Sequence, residues 1–197
     1  NSEEKIKDNI LKIFIIYSLL SIIILSLLTI SGIRLFNSLN LSMTLVSAGG
    51  FLPTDNIGKI VSSNLQKLIL IFSLFISMLN FYLIFNIFNK KILIKEHKED
   101  LYLILLTIIF FSLIYFNDYD RLDLIISITS SLANSGLTMI KSDNNLSLYF
   151  LLITMVGGSL ISNSSGIKFT RFYILLKITS SEIIKLVSPN SIINKTI

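Results

Sequence analysis

The hydrophobic positions of the chain fall into long uncharged runs separated by short polar segments. Residues 13–33 carry no charge in 21 positions, and residues 68–89 carry none in 22. Residues 101–117 form a shorter run of 17 positions, and residues 144–167 form one of 24. Because a helix needs about 20 apolar residues to cross about 30 Å of hydrocarbon, these runs predict four membrane-spanning helices.

The second half of the fourth run is a poor sequence for a lipid-facing helix. From Gly157 to Gly166 it consists mostly of glycine, serine and asparagine. Irregular backbone at membrane depth is tolerated only where protein buries it or where it lines water. The sequence therefore predicts a break in this helix, which resumes near Lys168 and ends near Leu186. The alternative is a plain kink, in which the serines bond back to their own helix.

Two glycine-containing segments lie between pairs of these runs, and each follows a short segment of helical character, residues 38–46 and 120–133. Glycine adopts positive φ freely and has no side chain, so such a segment can turn backbone carbonyls toward a pore axis. Gly50 and Gly136 are 86 residues apart. The residues concerned are Ser47, Ala48, Gly49, Gly50 and Phe51 in the first segment, and Asn134, Ser135, Gly136 and Leu137 in the second.

This arrangement predicts an all-α membrane protein built from two membrane-pore-membrane repeats. Each repeat is a helix, a re-entrant pore helix with a glycine filter strand, and a second helix. The first repeat takes residues 1–95. The second takes residues 96–189 and contains the interrupted last helix, and residues 190–197 form a connector.

Composition supports a membrane protein. Hydrophobic residues make up 52% of the chain, charged residues only 15%, and the mean hydropathy is +0.76, which excludes an ordinary soluble domain. There is no cysteine, which excludes disulfides and thiolate metal sites. The lone His97 lies among lysines and glutamates, which is typical of a solvated loop. The formal net charge of +5 comes from basic residues beside the apolar runs, so it indicates orientation in a bilayer rather than nucleic-acid binding.

The charge distribution predicts the topology. With both ends in the cytoplasm, the outer loops hold five of the 17 basic residues and the inner segments hold the other twelve, as the positive-inside rule requires. We therefore expect a multi-pass protein of the cytoplasmic membrane whose two glycine segments enter from outside. Four aspartates on the outer side would raise the local cation concentration, although ordinary loop solvation accounts for them equally well. These are Asp55, Asp118, Asp120 and Asp143.

Two other classes of function can be considered from the residues. An intramembrane enzyme needs paired catalytic groups at membrane depth, and the four apolar runs contain no His, Asp or Glu. The chain is therefore not expected to be an enzyme. A non-conducting membrane module that serves assembly remains the alternative to an ion pathway if the glycine segments are merely loops on a helical bundle.

Three segments resemble the bacterial Trk/Ktr potassium transporters, a family shared with plant HKT proteins. Residues 46–55 resemble the filter of the second of the four family repeats, and residues 130–138 resemble that of the third. Residues 157–171, followed by residues 181–189, resemble the intramembrane loop and the basic, proline-terminated helix after it. Two positions depart from the pattern, because Ile161 and Ser165 stand where the family commonly has glycine.

The resemblance implies potassium uptake through backbone carbonyls near Gly50 and Gly136, with no cofactor in this chain and K⁺ as the transported ion. It also implies a gate beneath the filter, formed by Gly157, Gly158, Ser162, Asn163, Ser164, Gly166 and Lys168. The implied partners are the lipid bilayer, two remaining repeats, a second copy in a homodimer and a cytosolic nucleotide-binding regulatory subunit. A filter needs a closed ring of carbonyls, so two repeats cannot form it alone. The chain is then either a piece of a longer one, which the absence of an initial Met favours, or a subunit that assembles with others.

Overall fold

The computed structural model describes residues 2–88, 98–114, 119–140 and 144–187. Within these ranges the chain is all-α. A single 3-10 turn lies at Ile57–Lys59, and an isolated parallel pairing joins Val156 to Ile167. The helices are α1 Ser2–Ile30, α2 Leu35–Ser47, α3 Asn64–Met78, α4 Phe81–Phe88, α5 Lys98–Ile114, α6 Arg121–Ala133, α7 Asn144–Met155 and α8 Phe169–Val187. The predicted all-α class is thus confirmed for the described residues.

The core forms where apolar residues recur every four positions. In α1 the buried side chains are Ile16, Leu20, Ile24 and Leu28, which share one helix face because a turn takes 3.6 residues. The same spacing recurs in α2 and in α3. These faces meet where α1 packs against α2, α2 against α3, and α3 against α6. The short helix α2 is therefore packed on one face against α1 and α3, and the short helix α6 is packed against α3 and α7.

The helices α2 and α6 repeat one another. Both have 13 residues, and each residue of α6 lies 86 positions after its counterpart in α2. At about 1.5 Å per residue such a helix is about 20 Å long, too short to cross about 30 Å of hydrocarbon. Both are therefore compatible with a re-entrant position, and each leads directly into its glycine segment.

The second predicted span is not continuous, so that expectation was wrong. α3 ends at Met78 and α4 begins at Phe81, and the chain between them is extended at Leu79, with φ −76° and ψ 161°. The interruption is stable because other parts of the chain satisfy its backbone groups. The Met78 carbonyl accepts from the amide of Ser159, and the amide of Phe81 donates to the carbonyl of Ile161.

The other predicted helices are present with shifted bounds. α1 begins at Ser2 rather than at residue 13, since the charged segment before the apolar run is also helical. The fourth run is broken, as expected, between α7 and α8. The predicted ends of the second and third runs, His97, Asp118, Asp143 and the connector lie outside the described residues.

Apolar surface is extensive on these helices. Among the described segments, Ile10–Ile30 is the one helical stretch long and apolar enough to cross a membrane, and Asn64–Met78 and Leu146–Met155 are apolar but shorter. The shortness of two predicted spans follows from the breaks in them. None of the 19 residues of α8 is buried, although many are large and apolar.

Candidate ion-pathway site

The first glycine turn, residues 47–51, begins where α2 ends. Ala48 closes the helix in the left-handed conformation, with φ 53° and ψ 37°, and Gly50 is left-handed as well, with φ 71°. The Thr44 hydroxyl donates to the carbonyl of Phe51 at 2.6 Å and so holds the far end of the turn against the helix. Phe51 as a residue is 82% exposed.

The second glycine turn, residues 134–137, has the same backbone plan. Asn134 closes α6 with φ 56° and ψ 32°, and Gly136 is left-handed with φ 68°. Ser130 lies 86 positions after Thr44 and has the corresponding position before the second turn. Its hydroxyl accepts from the amide of Leu137 at 2.7 Å. The Ser130 hydroxyl is also 3.0 Å from that of Ser135. A buried hydroxyl in the last turn of each short helix therefore fixes each glycine turn.

The structure brings the two turns together. A Cβ atom on Gly50 would lie 2.7 Å from the carbonyl oxygen of Ser135, closer than real Cβ contacts allow. Among the described residues, no hydrogen bond ends on the carbonyls of Gly49, Gly50, Ser135 or Gly136. Unused carbonyls on adjacent turns are the ligands that a cation pathway requires.

The Gly/Ser loop, residues 157–168, joins α7 to α8 and folds around the ammonium group of Lys168. This group donates to the carbonyl of Ser162 at 3.0 Å and also to the carbonyl of Ser164. The amide of Gly158 donates to the Ser164 hydroxyl at 2.7 Å. A Cβ atom on Gly158 would lie 2.6 Å from the carbonyl of Met78, so only glycine fits there. Four of the predicted gate residues, Gly158, Ser162, Ser164 and Lys168, are thus joined by hydrogen bonds.

Asparagine side chains tie this loop to both short helices. The Asn163 amide donates to the carbonyl of Val46 at 2.6 Å, in the last turn of α2. The Asn134 amide, at the end of α6, donates to the carbonyl of Ser165 at 3.1 Å. The structure therefore places the Gly/Ser loop in contact with the ends of both predicted pore helices, through the predicted gate residue Asn163 and through Ser165, which was not predicted.

Two acidic residues that the sequence analysis did not single out complete the surroundings of the loop. Glu99 accepts from the amides of Leu160 and Thr170, at 3.0 and 3.4 Å. Asp100 is 2% exposed and accepts from the amide of Asn80 at 2.9 Å, in the break between α3 and α4. Both precede the third apolar run, so a search for charges within the runs does not find them. The corresponding roles of Thr44 and Ser130 could have been found from the sequence, because these two residues are separated by the same 86 positions as the two glycines.

An ion cluster joins the starts of α3 and α6 on the predicted outer side. The Lys67 ammonium lies 3.0 Å from Asp120 and 2.5 Å from Asp123, and its side chain is 12% exposed. The hydrogen bond from Lys67 holds the pKa of the Asp120 carboxyl below its ordinary value of 3.8. This cluster therefore links α3 of the first repeat to the start of α6 in the second.

The described fold is similar to that of a helical membrane transporter known from a crystal structure. The potassium transporter TrkH from Vibrio parahaemolyticus, known from a crystal structure, matches 96% of this chain with a TM-score of 0.78 and 23% sequence identity. This likeness confirms, at the level of fold, the resemblance drawn from residues 46–55, 130–138 and 157–171.

A sequence relative points the same way. A protein of Methanocaldococcus jannaschii described as an uncharacterized cation transporter is 27% identical over an alignment of 195 positions, and the match covers 92% of this chain. No protein-family model matches the chain. The chain spans 38% of the length of the archaeal protein and 44% of the TrkH chain. It therefore corresponds to less than half of either relative.

Proposed function

We propose that the chain is part of a membrane transporter that takes up cations, potassium in particular, along a path lined by the two glycine turns. The observation that carries this proposal is the repeated pair of 13-residue helices, which end in adjacent left-handed turns with unused carbonyls. The described relatives support it, since one is a potassium transporter and the other is described as a cation transporter.

The two short helices contribute to this function through their dipoles. The C-terminal end of a helix carries a partial negative charge of about half a unit, which favours a cation. Both α2 and α6 end at the glycine turns, so both ends favour a cation at the same place. Backbone carbonyls there would replace the hydration shell of the ion, with Gly49 and Gly50 acting from one repeat and Ser135 and Gly136 from the other.

The Gly/Ser loop would act as the gate of this path. Its contacts with Val46 and Asn134 put it against the ends of both short helices, and its glycines and serines suit a wet cavity. The Lys168 ammonium within the loop would add an electrostatic barrier to cations.

The rest of the pathway would come from outside this chain. Two repeats do not close a ring of carbonyls, and the unburied surface of α8 would be covered by the two further repeats of a longer chain. A homodimer and a cytosolic nucleotide-binding subunit, both implied by the family resemblance, remain part of the proposal.

The test is potassium transport by the full-length parent protein. Its expression in a strain deficient in potassium uptake should restore growth at low potassium, and purified protein in proteoliposomes should pass K⁺ in preference to Na⁺. An expressed and folded protein that neither restores growth nor passes K⁺ would contradict this proposal and favour the non-conducting assembly module.

A further inference from the structure

Two neighbouring carboxylates at the start of α5 each bond to the start of a helix that follows a break in the chain. The two helices are α8 and α4. Glu99 accepts from the amide of Thr170 in the first turn of α8, and Asp100 accepts from the amide of Asn80 directly before α4. The first amides of a helix have no partner within the helix, and a carboxylate is a favourable acceptor there. The start of α5 therefore caps two other helices across the fold.

Glu99 does more than cap α8. The same oxygen, Oε1, also accepts from the amide of Leu160 at 3.0 Å, inside the Gly/Ser loop. One carboxylate oxygen thus joins the loop to the helix that follows it. The amide of Phe169 donates to the carbonyl of Gly158 at 3.2 Å and closes the same segment from the other side.

The break between α3 and α4 belongs to the same assembly. Met78 and Phe81 bond to Ser159 and Ile161 of the loop, and Asp100 holds Asn80 between them. Moving the loop therefore requires that bonds to the break be lost as well. Of the two adjacent residues on α5, Glu99 bonds to the loop and Asp100 bonds to the break between α3 and α4.

We propose that Glu99 is a latch, a positioning residue whose carboxylate keeps the Gly/Ser loop in the conformation seen here. When the bonds to Leu160 and Thr170 are lost, the loop separates from α5 and exposes the segment around Ser159. The latch as a structural device stands on these contacts alone. Its effect on transport rests on the proposed function, because a released loop alters flux only if it lies in the ion path.

Ser159 offers a probe of the latch that does not depend on transport. The residue is 0% exposed, and its hydroxyl makes no hydrogen bond with any other described residue, so Ser159→Cys removes no contact of that kind. The chain has no cysteine of its own. In full-length protein whose cysteines outside this segment have been replaced, the rate of reaction with a water-soluble methanethiosulfonate reagent therefore reports exposure of the loop.

The experiment compares Glu99→Ala, Glu99→Gln and Glu182→Ala, each combined with Ser159→Cys, in nanodiscs. Loss of hydrogen bonds to a charged acceptor should raise the labelling rate about tenfold in Glu99→Ala. Glu99→Gln keeps an acceptor oxygen at the same place but loses the charge, so its rate should lie between those of Glu99→Ala and the unaltered latch. Glu182 pairs with Lys185 on the exposed surface of α8, so its removal should leave the rate unchanged.

Each outcome decides one part of the proposal. If both Glu99 variants are labelled at the rate of the Glu182→Ala control, the latch is overturned. If Glu99→Ala does not fold, labelling of Glu99→Gln at the control rate is enough to overturn it. Faster labelling with unchanged potassium flux in proteoliposomes would support the latch and contradict the role of the loop as a gate. Absence of flux in the unaltered protein would contradict the transport function and leave the latch to be judged by labelling.

Discussion

Asn163 donates its side-chain amide to the carbonyl of Val46, 117 residues earlier in the chain, at 2.6 Å. Val46 is 2% exposed and lies in the last turn of α2. The carbonyls in a last helical turn need partners from outside the helix. A residue of the Gly/Ser loop is therefore part of the C-terminal cap of a short helix in the other repeat.

Asn163→Ala should destabilise the protein and disturb the first glycine turn. Leaving a buried carbonyl without a donor costs about 1–3 kcal/mol, which should appear as a lower unfolding temperature in detergent. Asn40→Ala is the matched control, because Asn40 also donates to a backbone carbonyl but does so at the surface, to Phe36. Equal unfolding temperatures for the two variants would show that the Asn163 bond contributes nothing beyond a surface contact.

Gly50→Ala should be more harmful than the same change at two other left-handed glycines. All three sites require positive φ, which costs a residue with a Cβ atom about 1–2 kcal/mol. At Gly50 the new Cβ atom would also meet the carbonyl of Ser135 at 2.7 Å, whereas nothing lies within 4 Å at Gly32 or Gly136. Comparing unfolding temperatures isolates the contact between the two turns, and equal losses at all three sites would contradict that contact.

The alanine variants of Gly32, Gly50 and Gly136 also distinguish an effect on ion selectivity from an effect on stability. Gly50→Ala and Gly136→Ala should reduce the preference for K⁺ over Na⁺ in proteoliposome flux, because both change a turn whose carbonyls are proposed to bind the ion. Gly32→Ala, between α1 and α2, should retain it. Unchanged selectivity in both turn variants would remove these glycines from the filter.

Thr44→Val should alter the first turn by removing the donor to the Phe51 carbonyl. The change is nearly isosteric, so it tests the hydroxyl rather than the packing. Thr129→Val is the control, since the Thr129 side chain is also buried but bonds only within its own helix, to Ile125 and Ile126. We expect a loss of K⁺ preference in Thr44→Val alone, measured as the ratio of K⁺ to Na⁺ flux. The same ratio in both variants would count against a role for this hydroxyl.

Lys67→Met should lower stability at neutral pH and change how stability depends on acid. Because the pKa of Asp120 is depressed in the folded state, its contribution is full above 3.8 and is lost as the pH falls through the folded value. Without Lys67 this part of the acid dependence should disappear from unfolding temperatures measured between pH 5 and pH 2, a range that covers the acid side of 3.8. Lys59→Met is the control, because its contact with Asp55 is long, at 3.8 Å, and exposed. An acid profile in Lys67→Met identical to that of the unaltered protein would contradict the prediction.

The short helices and their turns could be predicted from sequence because the information is local. Helical segments that stop at glycine or asparagine, repeated at one spacing, placed α2 and α6 to within a few residues. The interruption at Leu79 was not predictable in this way. No glycine or proline lies in this run, and what breaks the helix is bonding to Ser159, Ile161 and Asp100, which are distant in sequence.

Glu99 shows the same limit for the site. In the sequence it is one of several charges before an apolar run, with nothing to separate it from Lys98 or Glu96. Its importance comes from two amides that tertiary folding brings to one carboxylate oxygen. The glycines and serines of the loop, in contrast, could be found from sequence because their composition conflicts with a lipid-facing helix.

The bonds between the break at Leu79 and the Gly/Ser loop constrain the order in which these parts of the protein can fold. The Met78 carbonyl and the Phe81 amide lack the partners they have in the folded structure, Ser159 and Ile161, until the ribosome has added residues as far as Ile161. In the proposed membrane topology the break lies in hydrocarbon, where unpaired backbone groups cost several kcal/mol each, so it would not take its final form during that interval. During synthesis the segment from α3 to α4 is therefore expected to cross the membrane as one straight helix and to break only when the later loop arrives.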